Sequence, residues 1–281
     1  MTASIQPGAM DAHCAFRDPA RAQSLPGAAP EPDAAFLPGH LAPLLEASGV
    51  ERAIVVQTHP PDEEGDWLLD AAGAAPFVAG VVAWLDLASL DALARLESLA
   101  RHPKLKGVRC DAEREVANDW LLRDDLQPAL RALAERELTL DLAVSTRHLR
   151  RLPELAARYP RLRFVIEHMA RPRVDLGQTE PWGTMMRAAA ACPNVWCKVS
   201  GLLTPGVSVR AQTARLRSFA APLVRTFGFE RLMFGSDWPA SAQAAPYDQT
   251  LAAAIEAVGP ASDAQLRRFL GAAAAECYRL D

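Results

Sequence analysis

Eight short apolar runs recur along the chain, each followed by a longer stretch, and no other feature restricts the fold as much. The runs are Met10–His13, Ala53–His59, Val78–Leu87, Leu105–Cys110, Leu138–Val144, Arg163–Met169, Val195–Leu202 and Arg231–Trp238. Between and after them lie stretches rich in Ala, Leu, Arg and Glu with apolar residues at helical spacing, among them Ser89–Arg101, Leu122–Glu137, Arg147–Arg158, Val209–Phe227 and Asp263–Tyr278. Ser89 and the Ser262-Asp263 pair stand where helix start signals belong. Strands joined through helices run parallel, so eight of them in 281 residues predict one α/β domain over residues 1–281, a closed (β/α)8 barrel of the TIM class. An open doubly wound sheet is the alternative. It usually carries a glycine-rich phosphate loop after its first strand, and this chain has none.

Two stretches depart from the alternation. Residues 17–43 hold six prolines and few helix-period positions, and they read as a long first loop on the face where a barrel keeps its site. Val174–Trp182 is long for a simple connection. Residues 1–9 read as a loose tail.

Composition narrows the function classes. The formal net charge is −4 and basic residues never cluster beyond pairs such as Arg150-Arg151, which argues against a nucleic-acid partner. No run reaches the ~18–20 apolar residues of a membrane span, and no secretory leader pattern opens the chain. The five cysteines form no CxxC pair, and Cys14, Cys110 and Cys197 fall in or beside apolar runs. They read as reduced core thiols of a cytoplasmic protein.

In a parallel barrel the C-terminal ends of all strands converge on one face, so the polar residues there are the candidate site. Asp237 follows Leu232-Met233-Phe234, and a carboxylate delivered to that position needs a partner or a task. His168 ends the sixth run; Glu167 beside it points the opposite way if the strand is regular. His13 follows the first run. Metal hydrolases place a second histidine two residues on, on the same side of the strand, and here that residue is Ala15. Arg109 and Lys198 are cations at or within strands, suited to a carboxylate or a developing oxyanion. Gln57 and His59 on the second run and Trp84 and Trp238 are candidates to line the cavity. The parity of the fifth run leaves open whether Asp141 faces inward.

Several segments together resemble the amidohydrolase-related family of TIM barrels, and within it the lactonase branch of pyrone-dicarboxylate and sugar-acid lactonases. They are Asp11-Ala12-His13 with Asp18-Pro19, Val56-Gln57, Lys106-Gly107-Val108-Arg109, Ile166-Glu167-His168 with Arg171-Pro172, Lys198-Val199-Ser200-Gly201, Arg231–Pro239 and Glu276-Cys277-Tyr278-Arg279-Leu280. The resemblance implies hydrolysis of a small lactone, with Asp237 as general base on water and His13 and His168 polarising the carbonyl. Arg109 and Lys198 are candidates to stabilise the developing oxyanion or grip a substrate carboxylate, and Arg171 is a further substrate-binding candidate. The resemblance to the pyrone-lactonase branch implies a site that works without a metal, and Ala15 in place of the second strand-one histidine argues against a metal pair. One divalent ion such as zinc on His13, His168 and Asp237, in a hydrolase or a decarboxylase, is the alternative. A retired barrel that binds a small carboxylate without turnover is another.

Overall fold

The computed structural model describes residues 5, 7–20, 34–58, 62–201 and 203–280. Eight strands form one parallel sheet in sequence order: β1 (Met10–Cys14), β2 (Arg52–Val56), β3 (Val78–Trp84), β4 (Leu105–Asp111), β5 (Thr139–Ala143), β6 (Arg163–Ile166), β7 (Val195–Val199) and β8 (Leu232–Phe234). Each falls within or beside its predicted run. The helices are α1 (Pro38–Ala47), α2 (Asp62–Ala74), α3 (Ala92–Leu99), α4 (Gln127–Glu135), α5 (Thr146–Leu149), α6 (Leu152–Arg158), α7 (Trp182–Ala190), α8 (Val209–Phe227), α9 (Tyr247–Val258), α10 (Asp263–Arg267) and α11 (Ala273–Cys277). The helix expected over Arg147–Arg158 is therefore two, and Pro153 sits in the first turn of the second, where its missing N–H costs nothing. The last predicted helix is α10 and α11 joined by a π-turn at Arg268–Ala272, capped at Ser262 by a reciprocal bond pair with Gln265.

Strand alternation sorts the core into two layers. Ala53, Val55, Leu140, Leu142, Phe164, Ile166, Val195, Cys197, Leu232 and Phe234 face outward into the helix layer. Ile54, Val56, Val82, Val165, Trp196 and Met233 fill the lumen with Met10 and Ala12. The C-terminal segment closes the floor of the barrel with Ala273, Ala274, Cys277 and Tyr278, and Arg163 of β6 donates to the carbonyls of Glu276 and Cys277.

Two expectations about loops need correction or restriction. The first loop ends sooner than residue 43, because Pro38 opens α1 and Pro43 lies inside it. A two-way backbone pair between Arg17 and Phe36 (2.8 Å each) ties the loop's ends together; residues 21–33 lie outside the described residues. The expected loose tail is docked where it is described: Ala9 is buried, its carbonyl accepts from Glu51 and Arg52, and Ile5 packs on the core. Residues 1–4 and 6 lie outside the described set.

The sheet closes between β8 and β1. Asp237 N–H donates to the His13 carbonyl at 2.8 Å, and Ala15 N–H to the Trp238 carbonyl at 2.7 Å. Asp11 braces this seam from the helix side. Its Oδ1 accepts from the backbone N–H of His13 (3.1 Å) and of Ser236 (2.9 Å), and its Oδ2 accepts from the Tyr247 hydroxyl (3.0 Å). Burial pushes the Asp11 carboxyl up to about 6, against these donors. The fold thus holds the Asp11 proton more tightly than the unfolded chain does, so its contribution is full below the ordinary 3.8 and is lost as pH rises through about 6. Asp11→Asn keeps the acceptor and removes the titration. Its stability relative to the parent chain is expected to rise by roughly 2 kcal/mol between about pH 4 and pH 7. Urea unfolding at both pH values checks this, and a pH-independent difference would contradict it.

Candidate active site at the barrel mouth

His13 reaches the lumen through an irregularity. Asp11 pairs with Ala53 and Cys14 with Val55, so β1 uses three steps where β2 uses two. This bulge lets Ala12 and His13 both face inward while Cys14 joins the outer core. Gly235 of the β8 end makes room for the ring: a Cβ there would lie 2.6 Å from His13 Cβ. Ala15 is half-buried and supplies only a methyl group.

The end of β6 breaks the alternation more strongly. His168, Met169, Ala170 and Arg171 all take positive φ, at 49°, 55°, 57° and 47°. Left-handed backbone costs an L-residue roughly 1–2 kcal/mol each, so the surroundings must hold the turn. Met169 and Ala170 are buried, Trp182 Nε1 donates to the Met169 carbonyl at 2.7 Å, and Arg171 N–H closes on the His168 carbonyl at 2.9 Å. The turn brings Glu167 and His168 into the same cavity, which corrects the expectation that they point apart. The His168 ring meets the His13 ring edge-on at 4.6 Å, and its Nδ1 lies 3.0 Å from Ser200 Oγ. Gly201 (φ 61°) leaves room for it, since a Cβ there would stand 2.7 Å from that Nδ1.

Charged groups fill the lumen around these rings. Arg109 of β4 donates through Nε to Glu167 Oε2 at 2.9 Å and through a terminal nitrogen to the Thr58 carbonyl at 3.1 Å. Asp141 faces inward, which settles the open parity of β5. Its Oδ2 accepts from Lys198 Nζ and from the Tyr278 hydroxyl, both at 2.6 Å, and its Oδ1 from Thr139 at 3.0 Å. Lys198 is fully buried and its Nζ lies 3.2 Å from His13 Nδ1. The sequence makes it a candidate to stabilise an oxyanion or grip a substrate carboxylate; in the structure its Nζ is committed to Asp141 and faces His13.

These pairings set the protonation states. Burial pushes the His13 imidazole well below its ordinary range, and the Lys198 charge adds to this, so it is neutral. Burial also lowers His168, against the pull of Asp237 and Glu167. Burial alone would raise the Glu167 carboxyl, but Arg109 above all, with Lys198, overrides it and holds it far below the carboxylate range. Lys198 and Arg109 are thus matched one to one by Asp141 and Glu167. Asp237 is different. Its carboxylate is 24% exposed, lies 3.7 Å from His13 Nε2, and has no Lys or Arg ion pair among the described residues.

The other candidates lie as follows. Arg171 is half exposed and pairs with Glu113 at 2.8 Å. Gln57 does not line the lumen: it has the outward parity of Ala53 and Val55, accepts from Trp84 N–H at 2.9 Å and faces Gly65 of α2. His59 lies outside the described residues. Trp84 is partly buried, and Trp238 is buried with Phe36 edge-on at 5.5 Å. Glu167, Ser200 and Tyr278 join the constellation without having been singled out. The adjacent Glu167-His168 pair at the end of an apolar run was the available signal.

His13, Glu167 and His168 bring possible ligand atoms within 4.8 Å of one another. Two of the three already face a cation, Glu167 that of Arg109 and His13 that of Lys198.

A family model described as Amidohydrolase matches residues 10–280. The chain is 42% identical over 253 residues to an L-fucono-1,5-lactonase of Burkholderia ambifaria, spanning 88% of this chain and 86% of that protein. It is 31% identical to an L-fucono-1,5-lactonase of Burkholderia multivorans over 87% of this chain and 86% of that one. A crystallised amidohydrolase from Burkholderia multivorans with bound zinc superposes with a TM-score of 0.81 at 27% identity, covering 97% of this chain and 99% of its own.

Because Gly235 underlies His13, Gly235→Ala is expected to displace the ring while leaving the outer core intact. A shift of about 1 Å in a reacting group can cost on the order of 100-fold. Turnover is therefore expected to fall at least tenfold (the lower end of that scale) with far-UV circular dichroism unchanged; turnover equal to the parent's would contradict the placement.

Proposed function

The chain belongs to the amidohydrolase family, and on that premise we infer that it opens the lactone of a sugar acid by hydrolysis. The observation that carries the mechanism is the state of Asp237. Of the three carboxylates that face His13 and Lys198 directly or through a partner, it alone is partly exposed and not committed to a cation. A general base must accept a proton and give it up, and a carboxylate locked to Arg or Lys does this poorly.

In the reaction, Asp237 takes a proton from a water molecule as its oxygen attacks the ring carbonyl. The carbonyl oxygen gains negative charge and is met by the neutral rings of His13 and His168 as hydrogen-bond donors. The ring C–O bond then breaks, and the alkoxide that leaves takes the proton from Asp237, giving the hydroxy acid. No step needs a protein nucleophile. Arg109 and Glu167 hold one another and fix the wall behind the histidines.

A sugar lactone fits better than a dicarboxylate lactone. The latter needs spare cations at the mouth, whereas Arg109 is paired with Glu167, Lys198 with Asp141 and Arg171 with Glu113. The two similar curated proteins carry the name L-fucono-1,5-lactonase, and we propose an aldonolactone of that class as substrate. We propose that no metal takes part. A single ion on His13, His168 and Asp237 does not fit an arrangement in which His13 Nδ1 faces an ammonium group, since an ammonium only donates. All five cysteines are free and four are buried, as in proteins of a reducing compartment, so we propose the cytoplasm. Among the described residues no helix is long and apolar enough to cross a membrane.

Asp237→Asn is expected to lower kcat on L-fucono-1,5-lactone by about 10²–10⁴-fold, the span of a general base, with an unchanged melting temperature. Ring opening followed by proton release at constant pH measures it. Full turnover in the variant would remove Asp237 from the role, and no turnover of any aldonolactone by the parent enzyme would remove the substrate class.

A further inference from the structure

We propose that Lys198 is a positioning residue that fixes the tautomer of His13, placing the ring proton on Nε2, where it faces the reaction space. The proposal rests on the lactonase reading only for its catalytic consequence; the tautomer itself is a property of the free protein.

The geometry carries the argument from the barrel floor upward. Tyr278, on the C-terminal segment, donates to Asp141 Oδ2, and Thr139 donates to Oδ1. Burial raises the Asp141 carboxyl, and Lys198 with these donors opposes the rise. The 2.6 Å contact between Oδ2 and Lys198 Nζ is the geometry of a charge-assisted pair, a carboxylate facing an ammonium. That ammonium has no lone pair. At 3.2 Å from His13 Nδ1 it donates, so Nδ1 must accept and carries no proton. A ring whose Nδ1 accepts is not an imidazolium, and a neutral imidazole has one proton to place. It goes to Nε2.

Nε2 is itself informative. It is buried, has no hydrogen-bond partner among the described residues, and stands 3.7 Å from Asp237 Oδ1, beyond hydrogen-bond reach. An oxyanion formed between His13 and Asp237 supplies a charged acceptor for this N–H. The hydrogen bond strengthens as charge develops on that oxygen, which is the condition for rate acceleration. The same arrangement leaves Nε2 without a lone pair for a metal ion. Lys198 thus makes His13 a donor and disqualifies it as a ligand.

The test is the protonation pattern of His13 in the unliganded protein. Histidine is labelled with ¹⁵N, long-range ¹H–¹⁵N correlations are recorded, and the His13 signals are assigned by their loss in His13→Gln. Expected is a bare Nδ1 and a protonated Nε2 from pH 6.5 to 8.5, unmoved by one equivalent of zinc. A proton on Nδ1, or a zinc-induced shift of His13 Nε2, overturns the proposal. Lys198→Met is expected to let the tautomers mix and to lower kcat by roughly two- to tenfold, as the fraction carrying Nε2–H falls to between about one half and one tenth, with KM changed less than about threefold, as uniform binding is untouched. Should that variant fail to fold, Lys198→Met with Asp141→Asn removes both buried charges together and is read the same way. A His13 tautomer that stays wholly on Nε2 in a folded variant overturns the assignment to Lys198. Absence of lactone turnover in the parent protein would instead strike the lactonase reading and leave the tautomer result intact.

Discussion

The hydrogen bond from Asp237 N–H to the His13 carbonyl is both the last rung of the barrel and the first dimension of the site. Two of the three residues assigned to the chemistry sit on the strands that meet there. Closing the sheet therefore fixes their spacing without any further device, and Asp11 holds the same seam from behind through His13 and Ser236. A site built on separate loops would need its geometry restored by packing; here the backbone ladder supplies it.

A closed barrel has little room for solvent, so every charge inside must be answered inside. Lys198 with Asp141 and Arg109 with Glu167 satisfy this as two pairs on neighbouring sectors of the wall. Such pairs add little net stability compared with a well-packed apolar filling, because desolvation offsets most of the attraction. What they provide is orientation. Each pair points one protonated nitrogen or one carboxylate oxygen at a histidine ring, and the rings stay neutral among fixed charges.

The barrel was legible because its alternation is a bulk property: eight apolar runs cannot be buried parallel in many ways. His13, His168 and Asp237 were legible because each ends such a run. What escaped was direction. Regular two-residue alternation predicts Glu167 opposed to His168, and the left-handed turn at His168–Arg171 overrides it. The bulge in β1 likewise turns His13 inward beside Ala12 rather than opposite it. Gln57 looked like a lumen residue because it continues an apolar run, yet its parity is that of the outer layer. The docking of Ala9 under the β2 entry and the reach of Tyr278 into the lumen depend on contacts distant in sequence, which local pattern does not encode.

Tyr278 has a consequence for how far the site reaches. It lies 137 residues from the carboxylate it serves and is buried with Ala273, Ala274 and Cys277 beneath the lumen. This segment excludes water from below Asp141, and the Asp141–Lys198 pair is stronger for that exclusion. A substitution on the floor of the barrel therefore acts on the chemistry at the mouth through the strength of one buried pair.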